Sequence, residues 1–165
     1  MEAVVTPDGR LVLGGQTFRA ALGAGGVREN KQEGDDATPA GLLPLRRVLY
    51  RADRSAIPRA VVPREPIAEA DGWCDDPGHR DYNRMVRLPH VARCEHLWRA
   101  DALYDIVGVL GWNDAPVERG RGSAIFLHVA QPDFSGTEGC IAVAREVLVP
   151  LLGLLGPGSK ITIRS

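Results

Sequence analysis

Apolar residues fall in short alternating runs through the first fifty positions, and each run is broken by glycine. Residues 2–5, 11–13 and 16–22 read as strands separated by a Pro7-Asp8-Gly9 turn and a Gly14-Gly15 turn. Residues 23–39 are polar and glycine-rich, and Thr38-Pro39-Ala40-Gly41 leads into a strand over 42–50. From 51 to 89 no period of two or 3.6 is sustained, and Pro58, Pro63, Pro66 and Pro77 exclude a helix. So long an irregular stretch in a compact domain predicts a lid or binding loop, folded because Trp73, Tyr82 and Met85 are costly to leave in water. The plainer alternative is a surface excursion that closes one sheet edge.

Strands are expected again over 103–112 and 123–129. The second is apolar on both faces and therefore central, with His128 at its exit. Val143, Val147, Leu148, Leu151, Leu152 and Leu155 recur at helical spacing before Gly156-Pro157-Gly158, and 160–164 reads as a last strand. Many strands and one substantial helix in the carboxyl-terminal half predict a mainly β, α+β fold, with antiparallel sheets or a small sandwich carrying the helix.

With 165 residues, the chain fits a single domain over 1–165. Lys+Arg 20 against Asp+Glu 21 leaves a net charge of -1 without a basic run, which argues against nucleic acid as a partner. The longest apolar stretch, 141–155, contains Arg145, Glu146 and Pro150 and falls short of the roughly 20 residues of a membrane span. Pro7, Asp8 and Gly9 interrupt any apolar leader at the amino terminus, so no export signal is visible. Cys74, Cys94 and Cys140 cannot all pair within one chain, so at least one thiol is free.

Chemistry concentrates between His128 and Cys140. A buried strand delivers the imidazole and a glycine-containing loop returns with the thiol, a pairing suited to a cysteine nucleophile and its base. The helix expected just after Cys140 would assist the thiolate weakly. Gly139 permits close backbone approach, and its N–H with that of Cys140 is a candidate oxyanion hole. The structural alternative is a buried cysteine beside a satisfied strand-end histidine.

His128, the loop, and Ser135-Gly-Thr-Glu-Gly-Cys140-Ile-Ala resemble the signature of YkuD-type L,D-transpeptidases, a His followed by Ser/Thr-His-Gly-Cys, an apolar residue and Arg or Asn. Thr137, Gly139, Cys140 and Ile141 match, whereas Glu138 replaces the second His and Ala142 the Arg or Asn. Thr38-Pro39-Ala40-Gly41 is similar to the family's Thr-Pro-x-Gly lead into a strand. Thr-Glu-Gly-Cys, with Gly72-Trp-Cys-Asp-Asp-Pro77, Tyr82-Asn83 and Glu95-His-Leu-Trp98, resembles a small proteobacterial branch. The resemblance implies a YkuD-like β-sandwich, peptidoglycan stem peptides as donor and acceptor, no cofactor, and a location in the periplasm or cell envelope. It implies Cys140 as nucleophile, His128 as base oriented by a backbone carbonyl around Val129, and diaminopimelate or the stem L-alanine as acyl donor. A monomer is expected.

Trp73, Tyr82, Asn83, His96 and Trp98, with Thr137 and Glu138, are candidates to line the substrate groove, although large aromatics more often pack loops. Cys74, His79, His90, Cys94 and His96 are the rival constellation, a metal site. The close pairs Cys74/His79 and Cys94/His96 form no standard zinc knuckle, so no metal is expected. Cys74 and Cys94 read as plain buried thiols, or as a disulfide in an oxidising compartment. Two other readings keep the same scaffold: a carboxypeptidase or endopeptidase using water as acceptor, and a non-catalytic wall-binding module.

Overall fold

The computed structural model describes residues 2–165. The glycine-punctuated start becomes an antiparallel meander of β1 (Ala3–Thr6), β2 (Arg10–Leu13) and β3 (Gln16–Ala21). A short parallel pair, β4 (Val27–Arg28) and β5 (Thr38–Pro39), precedes the long β6 (Gly41–Tyr50). The stretch from 51 to 89 is less irregular than its sequence, since it holds β7 (Arg64–Pro66), β8 (Asp71–Cys74) and β9 (Met85–Arg87). Strands this short display no period, and β8 is buried along its whole length, so nothing in it alternates.

The remaining elements are β10 (Cys94–His96), β11 (Ile106–Leu110), β12 (Phe126–Val129), β13 (Ile141–Val143), α1 (Arg145–Leu154) and β14 (Lys160–Ile163). The helix begins two residues later than its apolar spacing suggests, because Val143 belongs to β13. A strand therefore separates Cys140 from the helix. The helix amino terminus does not follow the thiol directly, and its expected assistance there falls away.

Two layers follow from the pairing. One runs β3-β2-β1-β14-β6 and the other β3-β13-β12-β11-β6, with β7 on the far edge of β6. β3 and β6 belong to both. Gly41 to Pro44 of β6 pair with β14, and Leu45 to Tyr50 pair with β11. The result is a mainly β sandwich with one helix. Pairing is antiparallel except for β1–β14, β4–β5, β6–β7 and β12–β13.

The main core fills the space between the layers, where Val5, Leu11, Leu43, Leu127 and Ile161 meet Leu148, Leu151 and Leu152 of α1. Gly108 of β11 makes room for this helix, because a Cβ there would lie 3.1 Å from both Leu152 Cδ2 and Leu45 Cδ1. A second core lies on the opposite face of β11 and β12, where Leu49, Trp73, Leu97, Val107 and Phe126 pack together. Its cover is a small sheet ordered β10-β8-β9.

Candidate active site

Parallel neighbours need a crossover connection, usually helical, but β12 and β13 are joined by the irregular loop 130–140. That loop carries the Thr-Glu-Gly-Cys segment back to the sheet. Leu127 pairs with Ile141 and His128 with Ala142, which sets Cys140 beside Phe126 and diagonal to His128 on the same face. Both side chains open into one cleft of about 290 Å³.

Cys140 is held at both ends of its thiol. Phe126 N–H donates to Sγ at 3.3 Å, and the S–H donates to Ala124 O at 3.2 Å. Ala124 adopts φ 53, a left-handed conformation costly for a residue with a Cβ, and its N–H donates to Asn83 Oδ1 at 3.0 Å. His128 Nδ1 donates to Val129 O at 2.8 Å, which leaves Nε2 as the free base. Tyr104 stacks edge-on against the imidazole at 5.3 Å, and its hydroxyl bonds Glu95.

The loop is braced from within and behind. Thr137 Oγ1 donates to Cys140 O at 2.7 Å and accepts from Gly139 N–H at 3.1 Å. The backbone of 22–24 holds Thr137 on both sides, through Thr137 N–H to Leu22 O and Ala24 N–H to Thr137 O. Gly139 is at φ 138, and a Cβ would meet Ala37 O at 2.7 Å, so only glycine fits there. Ala37 directly precedes the Thr38-Pro39-Ala40-Gly41 motif, and Thr38 Oγ1 accepts the Gly23 N–H. The two motifs recognised separately in the sequence thus pack against each other.

Burial holds the His128 imidazole down to about 4. Burial, reinforced by the Glu95 and Glu138 carboxylates, raises the Cys140 thiol well above its ordinary range. At neutral pH the pair therefore rests as thiol and neutral imidazole. Burial also pushes Glu95 up to about 7 against the opposing bond from Tyr104. Glu33, Asp75, Glu95 and Glu138 give the cleft an acidic lining against Lys31 and Arg99. Lys31 is paired with Asp35 and Arg99 with Asp101.

Of the residues expected to contact substrate, Thr137 and Glu138 line the cleft. Trp73, Tyr82, Asn83, His96 and Trp98 do not. Trp73 packs edge-on against Phe126 and donates its Nε1–H to Asn83 Oδ1 at 3.0 Å. Tyr82 is buried, donates to Glu33 and accepts from Gly122 N–H. Asn83 Nδ2 donates to Trp112 O and Asn113 O, so the whole amide is spent on structure. Trp98 is covered by Arg51 at 3.5 Å, and His96 faces solvent at the far edge of β10. Trp73, Tyr82 and Asn83 have polar tips satisfied by the protein itself, the packing use of large amphipathic residues.

Gly139 N–H, expected in the oxyanion hole, is committed to Thr137 Oγ1. Glu95, Arg99 and Tyr104 are cleft residues absent from the sequence candidates, although Glu95 opens the Glu95-His-Leu-Trp98 motif. They lie outside the His-to-Cys segment, and only the pairing of β10 with β8 carries Glu95 to the site.

No helix among the described residues is long and apolar enough to cross a membrane. No curated protein and no solved structure matches the chain. The sequence model of the YkuD L,D-transpeptidase catalytic domain, however, matches residues 3–163, nearly every position from β1 to β14 and the whole cleft between them. On that match the chain belongs to the YkuD family of L,D-transpeptidase catalytic domains.

Proposed function

We propose that the protein is a peptidoglycan L,D-transpeptidase working through a Cys140 acyl-enzyme. The family acts on peptidoglycan and is typical of the cell envelope, the location we infer for this member. One observation carries the reading: Cys140 and His128 share a cleft in which a backbone carbonyl holds Nδ1–H and leaves Nε2 as a base. The S–H, aimed at Ala124 O in the resting site, turns to His128 Nε2, which takes the proton as sulfur attacks the donor carbonyl, then gives it to the departing amine as the thioester forms. An acceptor amine next loses its proton to the same nitrogen and attacks the thioester, so an amide forms and the thiol is restored. The Cys140 N–H, which has no hydrogen-bond partner among the described residues, is the first donor to the oxyanion. Gly139 N–H joins it when Thr137 Oγ1 releases it.

The acidic lining favours a cationic amine over water as acceptor, and this supports transfer over hydrolysis. The donor is diaminopimelate or the stem L-alanine, the latter giving a cross-link from L-alanine to diaminopimelate. Incubating wild type and Cys140→Ala with tetrapeptide muropeptides, then fragmenting the products in the mass spectrometer, tests both points. A Cys140-dependent dimer is expected, and its fragments name the donor. Shortened stems without dimers would make the protein a carboxypeptidase or endopeptidase, and unchanged stems would overturn the enzyme reading for these substrates.

A further inference from the structure

Cys74 and Cys94 face each other across β8 and β10. Asp75 N–H donates to Arg93 O one residue further along, which places the cysteines at a non-hydrogen-bonded position, where opposed side chains come closest. Both are free thiols, and neither takes part in the chemistry of Cys140. His90, from the turn that leads into β10, reaches the same point. Its donor nitrogen and the two sulfurs all lie within 4.8 Å of one another. Beyond it stand His79 and Asp81, whose donor atoms lie within 4.8 Å of each other and of His90. The His79 and His90 rings pack edge-on at 4.9 Å, and His90 Nε2 is 2.9 Å from Asp81 Oδ2.

We propose that Cys74, Cys94 and His90 bind a zinc-class divalent cation, with the fourth position completed from the His79 and Asp81 side. Two thiolates and an imidazole suit a borderline-soft ion, and no calcium or magnesium site is built this way. Bonds of about 2.0–2.3 Å on a tetrahedron set neighbouring donors roughly 3.3–3.8 Å apart, so the two sulfurs and the His90 nitrogen have to close by at most about 1.5 Å, and the fourth ligand has to move further. Binding releases one proton from each thiol, leaving a neutral dithiolate–metal unit. The spacing is Cys74-x4-His79 followed by His90-x3-Cys94. Sequence reading matched Cys94 with His96, two residues further along β10 and exposed, in place of His90.

The site's place in the fold gives it a purpose. Asp75 and Glu95 directly follow the two cysteines and both line the catalytic cleft, so the cation would fix the wall that presents them. This inference stands apart from the transpeptidase assignment. Its test is metal content of the full chain, purified with its thiols reduced and dialysed after loading with zinc. About one zinc per chain is expected in wild type and in Cys140→Ala, with loss in Cys74→Ser and His90→Gln. Adding cobalt to metal-free wild type should produce thiolate-to-cobalt absorption in the near ultraviolet, a result that holds even where a variant fails to fold. Three free thiols, counted after unfolding, with neither retained zinc nor a cobalt band would overturn the proposal. So would a chain lighter by two hydrogens with Cys74 linked to Cys94.

Discussion

Around Cys140 the same burial that protects the thiol also keeps it protonated, and Glu138 adds to the effect from the cleft rim. Glu138→Gln removes that charge, so alkylation of the Cys140 peptide by iodoacetamide at pH 7 should rise roughly threefold, read by mass spectrometry. An unchanged rate would show that Glu138 does not act on the sulfur. His128 gives a second prediction. Its folded value, about 4, lies below the ordinary 6.5, so between these values the unfolded chain binds the extra proton and stability falls as pH falls. The loss reaches on the order of 3 kcal/mol by pH 4, and His128→Gln should flatten this part of the urea midpoint against pH. The nucleophile and base were legible because they share one short segment of sequence. Asn83 was legible as a candidate for the substrate groove, beside Tyr82 in a branch motif, and not as a structural brace. Its hold on Ala124, and through Ala124 O on the thiol, depends on contacts distant in the chain.

Among the elements, α1 and β11 meet at Gly108, where space for Leu152 exists only because the strand lacks a side chain. Leu152→Ala alone should cost about 2–5 kcal/mol by leaving a cavity, and Gly108→Ala alone about 1 kcal/mol by crowding. Together they should cost roughly 1 kcal/mol less than the sum, since each relieves the other, and chemical denaturation of the four proteins measures it. Strict additivity would mean that the helix shifts to absorb either change. The regular elements with long or alternating patterns, β1 to β3, β6, β11, β12, α1 and β14, were readable from local sequence to within a few residues. The small sheet over the second core was not, because β8 gains its place from pairing with β9 and β10 and from covering Phe126.

At the scale of the molecule, layer order was beyond local pattern. Nothing in residues 160–163 announces that β14 will sit between β1 and β6, or that β3 and β6 will each serve two layers. Those pairings join the first and last strands of the sandwich side by side and parallel, with Ala3 opposite Ile161 and Val5 opposite Ile163. Pulled apart at residues 2 and 165, the two strands slide lengthwise, so their hydrogen bonds carry the load together. Pulled from residue 8 and residue 165, at the same end of the pair, they peel apart bond by bond. Single-molecule stretching should therefore find a markedly higher rupture force along the first axis than along the second, and equal forces would mean that another interface yields first. The seam between the first and last strands makes the domain mechanically directional, strong in line with its own chain ends and weak across them.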